Sequence, residues 1–169
     1  MMDVVGYRLH RRHRGAIDRI EAVADQAVQL VTRKMREGID PLRIVVTDSF
    51  GIDDHVLRND AALLGTSKRQ RLTSKSPAGR TSISEDGVLV VINAERCPAD
   101  ENLDVVLVHE LVHAAQLSRP GAREEKLRHL RNNHGVEKLT RLEAWGANWR
   151  ISADEREAGR LEYLASKLR

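Results

Sequence analysis

The first part of the chain combines one long helical pattern with short extended ones. Across residues 16–37, apolar side chains recur at steps of three and four, which predicts an amphipathic helix that ends near Gly38. The run Leu42–Thr47 follows this helix, and a similar run occupies Val88–Asn93. Both runs are short and rich in β-branched residues, so they predict two buried strands.

The segment between the two predicted strands has two parts of different character. Residues 52–64 carry enough spaced apolar side chains to predict a second helix. Residues 66–87 are rich in serine, threonine, glycine, lysine and arginine, which predicts a mobile loop or a marginal hairpin. Loops of this length are usually functional or disordered.

The pattern becomes helical after the second predicted strand. A helix is expected from about Asp100 to Leu117, and a charged helix from about Ala122 to Asn132. Thr140 and Ser152 each precede a glutamate by three residues, which is the pattern of a capping box. These two boxes either begin two separate helices or lie in one long helix.

Length and composition indicate a single domain. We expect residues 1–169 to form one α/β (α+β) domain, with a short mixed sheet and a helical C-terminal part. Hydrophobic residues make up 41% of the chain and charged residues 31%, a balance that argues against wholesale disorder. No apolar run reaches the roughly 18 residues of a membrane-spanning helix. The single cysteine, Cys97, excludes an internal disulfide.

The positive charge of the chain is concentrated in two segments. The net charge is only +3, but arginines cluster in the basic N-terminal segment 1–14, and lysines and arginines cluster in 68–80. Such segments can bind nucleic acid or acidic lipid. No phenylalanine, tyrosine or tryptophan separates the cations of either cluster, so solvated surface is favoured over nucleic-acid binding. No secretory signal is visible, so we expect a cytoplasmic protein, or a phage-encoded one that acts in the host cell or virion.

The sequence His109-Glu110-Leu111-Val112-His113 lies within the predicted helix of residues 100–117 and has the pattern HExxH. Residues four apart lie on one face of a helix, so the imidazoles of His109 and His113 can converge on one metal ion. The carboxylate of Glu110 can then reach a water at the metal without binding the metal, which suits a general base. The pattern therefore predicts one zinc ion per chain, with Glu110 as the catalytic base.

The helix HELVHAAQ, following the extended run VLVVIN, resembles the active-site core of the zincin metallopeptidases. The resemblance is to the compact, gluzincin-like type found in small intracellular bacterial and phage-encoded metalloproteases. It implies a zincin-like domain in which residues 87–93 form the sheet edge that pairs antiparallel with the substrate. The metzincin extension is absent, because Arg119 stands where its third histidine would be.

Three residues compete for the role of third metal ligand. Glu157 lies at the centre of an apolar stripe, where a carboxylate is costly unless it binds a metal or pairs with an arginine. Its helix also resembles the one that supplies the glutamate ligand in gluzincin-like peptidases. Glu143 is the alternative, although its place behind Thr140 favours helix capping. His134 resembles the third ligand of the SprT-like proteases, and a helix C-cap explains it equally well.

These observations predict a zinc-dependent metallopeptidase that acts on a peptide or protein substrate, with no membrane partner. Two alternatives remain: a zinc-stabilised structural or regulatory protein with little proteolysis, and a DNA-associated SprT-like protease. The oligomeric state cannot be predicted. Trp145 and Trp149, four residues apart, are expected in the core.

Overall fold

The computed structural model describes residues 2–66 and 76–169, which form a four-stranded sheet with helices on both faces. In chain order the elements are β1 (Met2–Gly6), α1 (Gly15–Met35), β2 (Leu42–Thr47), α2 (Ser49–Leu64), β3 (Gly79–Ser84), β4 (Gly87–Asn93), α3 (Asp100–Leu117), α4 (Ala122–Asn133) and α5 (Arg141–Leu161). Short 3-10 turns occupy Arg11–His13, Ala94–Arg96 and Glu162–Lys167. The predicted α/β (α+β) class, the short mixed sheet and the helical C-terminal part are confirmed.

The two strands predicted from β-branched runs form the centre of the sheet. The strand order is β1-β2-β4-β3, and β2 pairs with β4 in parallel, with Ile44 opposite Val90. Every residue of β4 is buried, as expected for a strand covered on both faces. β1 adds a parallel edge strand beside β2. The strand β1 was not predicted, and it lies within the basic N-terminal segment 1–14.

The second edge of the sheet is β3, which corrects the substrate-binding edge implied by the resemblance. β3 pairs antiparallel with β4, so residues 87–93 lie between two strands and have no open edge. β3 falls inside the segment 66–87 that was predicted as a loop or marginal hairpin. Its sequence GRTSIS contains few β-branched residues, which is why it was not recognised as a strand. Residues 67–75 of that segment lie outside the described residues.

The sheet separates two clusters of buried side chains, because successive residues of a strand point to opposite faces. On one face, Ile44, Val90 and their neighbours pack against α1 and α3. On the other face, Val45 and Val91 pack against α2 in a smaller cluster. Within the described residues, no helix combines the length and apolar content needed to cross a membrane.

An ion pair joins α1 to α3 beside the larger cluster. The guanidinium of Arg19 donates to both carboxylate oxygens of Asp104, at 3.0 and 2.6 Å. Asp104 is buried, and the two-pronged contact satisfies both of its oxygens. This pair helps to fix α3, the helix that carries the HExxH sequence, against the rest of the fold.

The second capping-box pattern lies inside one continuous helix, α5. Thr140 caps its N-terminus with a complete capping box, whereas the Ser152 hydroxyl donates to the backbone carbonyl of Asn148. The prediction that Trp145 and Trp149 lie in the core is wrong, because they are 69% and 62% exposed. Their face of α5 has no packing partner among the described residues that would cover it.

Candidate metal centre

The helix α3 brings the imidazoles of His109 and His113 together on one face. Their Nε2 atoms lie 3.1 Å apart, and both side chains are largely buried. One helical turn separates the two residues, so the convergence follows directly from the spacing. The two imidazoles therefore lie close enough to contact one metal ion, as the HExxH spacing predicts.

The outer nitrogen of each imidazole has a hydrogen-bond acceptor that determines the position of the ring proton. His109 Nδ1 lies 2.8 Å from the Glu162 carboxylate, which can only accept when ionised. His113 Nδ1 lies 2.7 Å from Gln116 Oε1. The amide nitrogen of Gln116 donates to Glu157 and to the carbonyl of Asp154, so its oxygen is the acceptor. When the two rings are neutral, each therefore carries its proton on Nδ1, and the Nε2 atom of each ring has no proton and can act as an acceptor.

A third acceptor faces the same point. The carboxylate oxygens of Glu155, on α5, lie 3.4 Å from His113 Nε2 and 3.5 Å from His109 Nε2. One ligand atom from each of the three residues lies within 4.8 Å of the others. Three converging acceptors without a donor among them repel one another unless a cation lies between them. Two imidazoles and one carboxylate are also a donor set that zinc takes in catalytic sites, so the residues fit the metal.

The predicted third ligand Glu157 does not fit this geometry. Its carboxylate accepts from Gln116 Nε2 at 2.9 Å and from the Arg119 guanidinium at 3.2 Å. Two residues span about 200° around a helix, so Glu155 and Glu157 point to opposite sides of α5. The carboxylate in the apolar stripe is thus satisfied by an arginine, and Glu155 is the carboxylate that lies beside the histidines.

The two other candidates for the third ligand, Glu143 and His134, lie elsewhere in the fold. Glu143 completes the capping box at the start of α5, and hydrogen bonds from the Thr140 backbone N–H and from Arg128 lower its pKa to about 2. His134 ends α4, where its backbone N–H donates to the carbonyl of Leu130. Within residues 2–66 and 76–169, neither belongs to the group of possible ligands around His109.

Glu110, next to His109 on α3, is only 6% exposed. Thr81, on the edge strand β3, donates its hydroxyl to Glu110 Oε2 at 2.6 Å. Burial raises the pKa of Glu110 above its usual value, while the Thr81 hydrogen bond and the nearby imidazoles oppose that rise. A carboxylate with a raised pKa is suited to accept a proton near neutral pH.

A cavity of about 680 Å³ opens over these residues. The edge strand β3 forms one wall, α3 forms the floor, and α4 and α5 form the other walls. The volume lies in the range of ligand-binding pockets, and the candidate base and all three candidate ligands line the cavity.

Four side chains that shape this site were not predicted from the sequence: Thr81, Gln116, Glu155 and Glu162. Gln116 lies one turn from His113, and its spacing on α3 could have indicated a supporting residue. Glu155 was assigned to a capping box that does not form, since α5 runs through Ser152. Thr81 and Glu162 reach the site only through tertiary packing, for which the sequence carries no local signal.

Comparison of the chain with protein-family models, with curated proteins and with solved structures finds no match.

Proposed function

We propose that this chain is a zinc-dependent peptidase that hydrolyses peptide bonds. His109, His113 and Glu155 would hold the zinc ion, and Glu110 would act as the general base. The observation that carries the proposal is the convergence of three acceptor groups on one point, in a cavity that the buried Glu110 also lines. A purely structural zinc site is usually closed by four protein ligands and has no use for a base such as Glu110.

The protein side chains divide the chemistry among them. When bound, zinc would supply a Lewis acid that polarises the substrate carbonyl and makes a water easier to deprotonate. Glu110 takes the proton from the attacking water and returns it to the nitrogen of the leaving amine. The Thr81 hydroxyl holds the Glu110 carboxylate in place, and Glu162 and Gln116 hold the two imidazoles in the tautomer that leaves Nε2 free.

The edge strand β3 supports a peptide as the substrate. Its outer side faces away from β4 in the four-stranded order, and its residues Gly79 and Thr81 line the cavity. An extended peptide can add to such an edge through backbone hydrogen bonds. This would place a peptide bond of the substrate beside Glu110, because Thr81 and Glu110 are in direct contact.

The experiment compares zinc-loaded wild type with Glu110→Gln on a mixture of synthetic peptides, with cleavage mapped by mass spectrometry. We expect cleavage by the wild type and a loss of about 10²-fold or more in the variant, because general-base catalysis contributes about that much. Zinc content is measured in both proteins and should be equal. Equal zinc without cleavage by the wild type would overturn the proposal and favour the zinc-stabilised structural protein.

A further inference from the structure

Two cationic side chains line the same cavity as Glu110 and are not neutralised there. They are Arg80, on the edge strand β3, and Lys126, on α4. Neither makes a hydrogen bond, or an ion pair within 4 Å, to any residue that the structure describes. Both side chains are half-buried, so water solvates them less well than ordinary surface cations.

The surroundings of Lys126 make this arrangement unfavourable without a further anion. Burial lowers the pKa of Lys126, and the nearby positive charge of Arg80 lowers it as well. Asp60, Glu110 and Asp154 attract its ammonium group from a distance without pairing with it. Asp60 already accepts hydrogen bonds from Asn59 and Ser82.

Two other cationic side chains near the cavity do have partners within the protein. Arg150 pairs with Glu125 in the cavity wall. Arg123, on α4, donates to the backbone carbonyls of Ser84, Glu85 and Gly87 and so ties α4 to the β3–β4 turn. Arg80 and Lys126 therefore differ from their neighbours, because neither forms a hydrogen bond or an ion pair with any residue in the part of the chain that the structure describes.

We infer that Arg80 and Lys126 form a subsite for a carboxylate of the substrate, next to the bond that is cut. The inference rests on the proposed function and names its substrate class: peptides that place an acidic side chain, or their own C-terminal carboxylate, beside the cleavage point. A carboxylate between the two cations removes their mutual repulsion and replaces the water that burial has taken from them. The subsite therefore selects by charge, and a neutral or basic side chain at the same position leaves the two cations unpaired.

The test measures peptide binding to the zinc-loaded Glu110→Gln protein, in which cleavage is blocked. The probes are fluorescein-labelled, alanine-rich decapeptides with one central glutamate, glutamine or lysine and an amidated C-terminus. A fourth peptide carries the central glutamine and a free C-terminal carboxylate, which distinguishes the two sources of the anion. Binding is read by fluorescence anisotropy, also for Lys126→Met and Arg80→Met in the same background. Lys34→Met removes an exposed lysine of α1 and is the matched control.

We expect the glutamate peptide, the free-carboxylate peptide or both to bind about tenfold more tightly than the amidated glutamine peptide. Lys126→Met and Arg80→Met should each reduce that ratio towards one, while Lys34→Met should preserve it. Equal binding of all four peptides, or a preference that survives both substitutions, would overturn the subsite while leaving the peptidase proposal intact. Absence of binding by every peptide, together with no cleavage by zinc-loaded wild type, would overturn both.

Discussion

Replacing Gly79 with alanine tests whether the position of the Glu110 carboxylate depends on the glycine beside it. A Cβ atom at residue 79 would lie 2.5 Å from Glu110 Oε1, 2.6 Å from Cγ and 2.8 Å from Cδ. Ordinary van der Waals contact begins at 3.4 Å, so the carboxylate has to retreat by about 0.9 Å. Glu110 is buried and held by Thr81, which leaves it little room to do so.

The expected effects of Gly79→Ala follow from that displacement. Inserting a methyl group into a packed site costs about 1–3 kcal/mol of the free energy of unfolding, measured by urea denaturation. A displacement of about 1 Å at a catalytic group can cost about 10²-fold in rate, so kcat/KM should fall by roughly that factor. The affinity for zinc should stay within about threefold of wild type, because the three atoms nearest to the added methyl all belong to Glu110, which is not one of the three candidate ligands.

Gly146→Ala is the control for the general effect of adding a methyl group. A Cβ atom at residue 146 meets nothing within 4 Å, and the residue lies inside α5. Alanine there should stabilise the protein by about 0.5–1 kcal/mol and leave cleavage unchanged. If Gly79→Ala keeps wild-type stability and wild-type cleavage, the tight contact between Gly79 and Glu110 is refuted. Loss of zinc in Gly79→Ala would show that the disturbance extends beyond Glu110.

Three further predictions concern residues outside the cavity floor. Trp145→Ala and Trp149→Ala should each change the free energy of unfolding by less than about 0.5 kcal/mol, because both side chains are exposed. A decrease of about 3 kcal/mol in this free energy, measured by urea denaturation, would contradict their exposure. Glu143 has a folded pKa of about 2 against a usual 4.5, so it stabilises the fold above about pH 4.5 and this stabilisation disappears as pH falls towards 2. Urea midpoints at several pH values should therefore fall less steeply with acid in Glu143→Gln, and parallel profiles would refute the capping role. Burial raises the pKa of the Cys97 thiol to about 11. A chromogenic thiol reagent at pH 8 should therefore react with this thiol slowly in the folded protein and rapidly in urea. Fast reaction of the folded protein would contradict the burial of Cys97.

The parts of the fold that were predictable are those with a local signal. The β-branched runs predicted β2 and β4 almost to the residue, because strands covered on both faces are nearly continuous apolar runs. The apolar repeat in α1 and the apolar length of α3 were equally clear. The edge strands β1 and β3 were missed, because each is short, half-buried and defined by its pairing with a neighbour.

In the candidate metal site, too, only the residues with a local sequence signal could be predicted. The spacing of His109 and His113 within one helix determines their convergence, so the sequence was sufficient for that pair. The choice between Glu155 and Glu157 depends on how α5 is rotated against α3, which no local pattern records. The partner that settles the position of Glu157 is Arg119, 38 residues away in sequence. A carboxylate in an apolar stripe thus indicated either a metal or an arginine partner, but the sequence did not identify which one.

The central claim is that His109, His113 and Glu155 bind one zinc ion, and elemental mass spectrometry of the purified protein tests it most directly. Zinc per chain is measured for wild type, Glu155→Gln and Glu157→Gln after dialysis against zinc-buffered solution, with folding checked by circular dichroism. We predict about one zinc ion in wild type and in Glu157→Gln, and a clear loss in Glu155→Gln. A folded wild-type protein without zinc, or loss of zinc in Glu157→Gln with retention in Glu155→Gln, would contradict the claim.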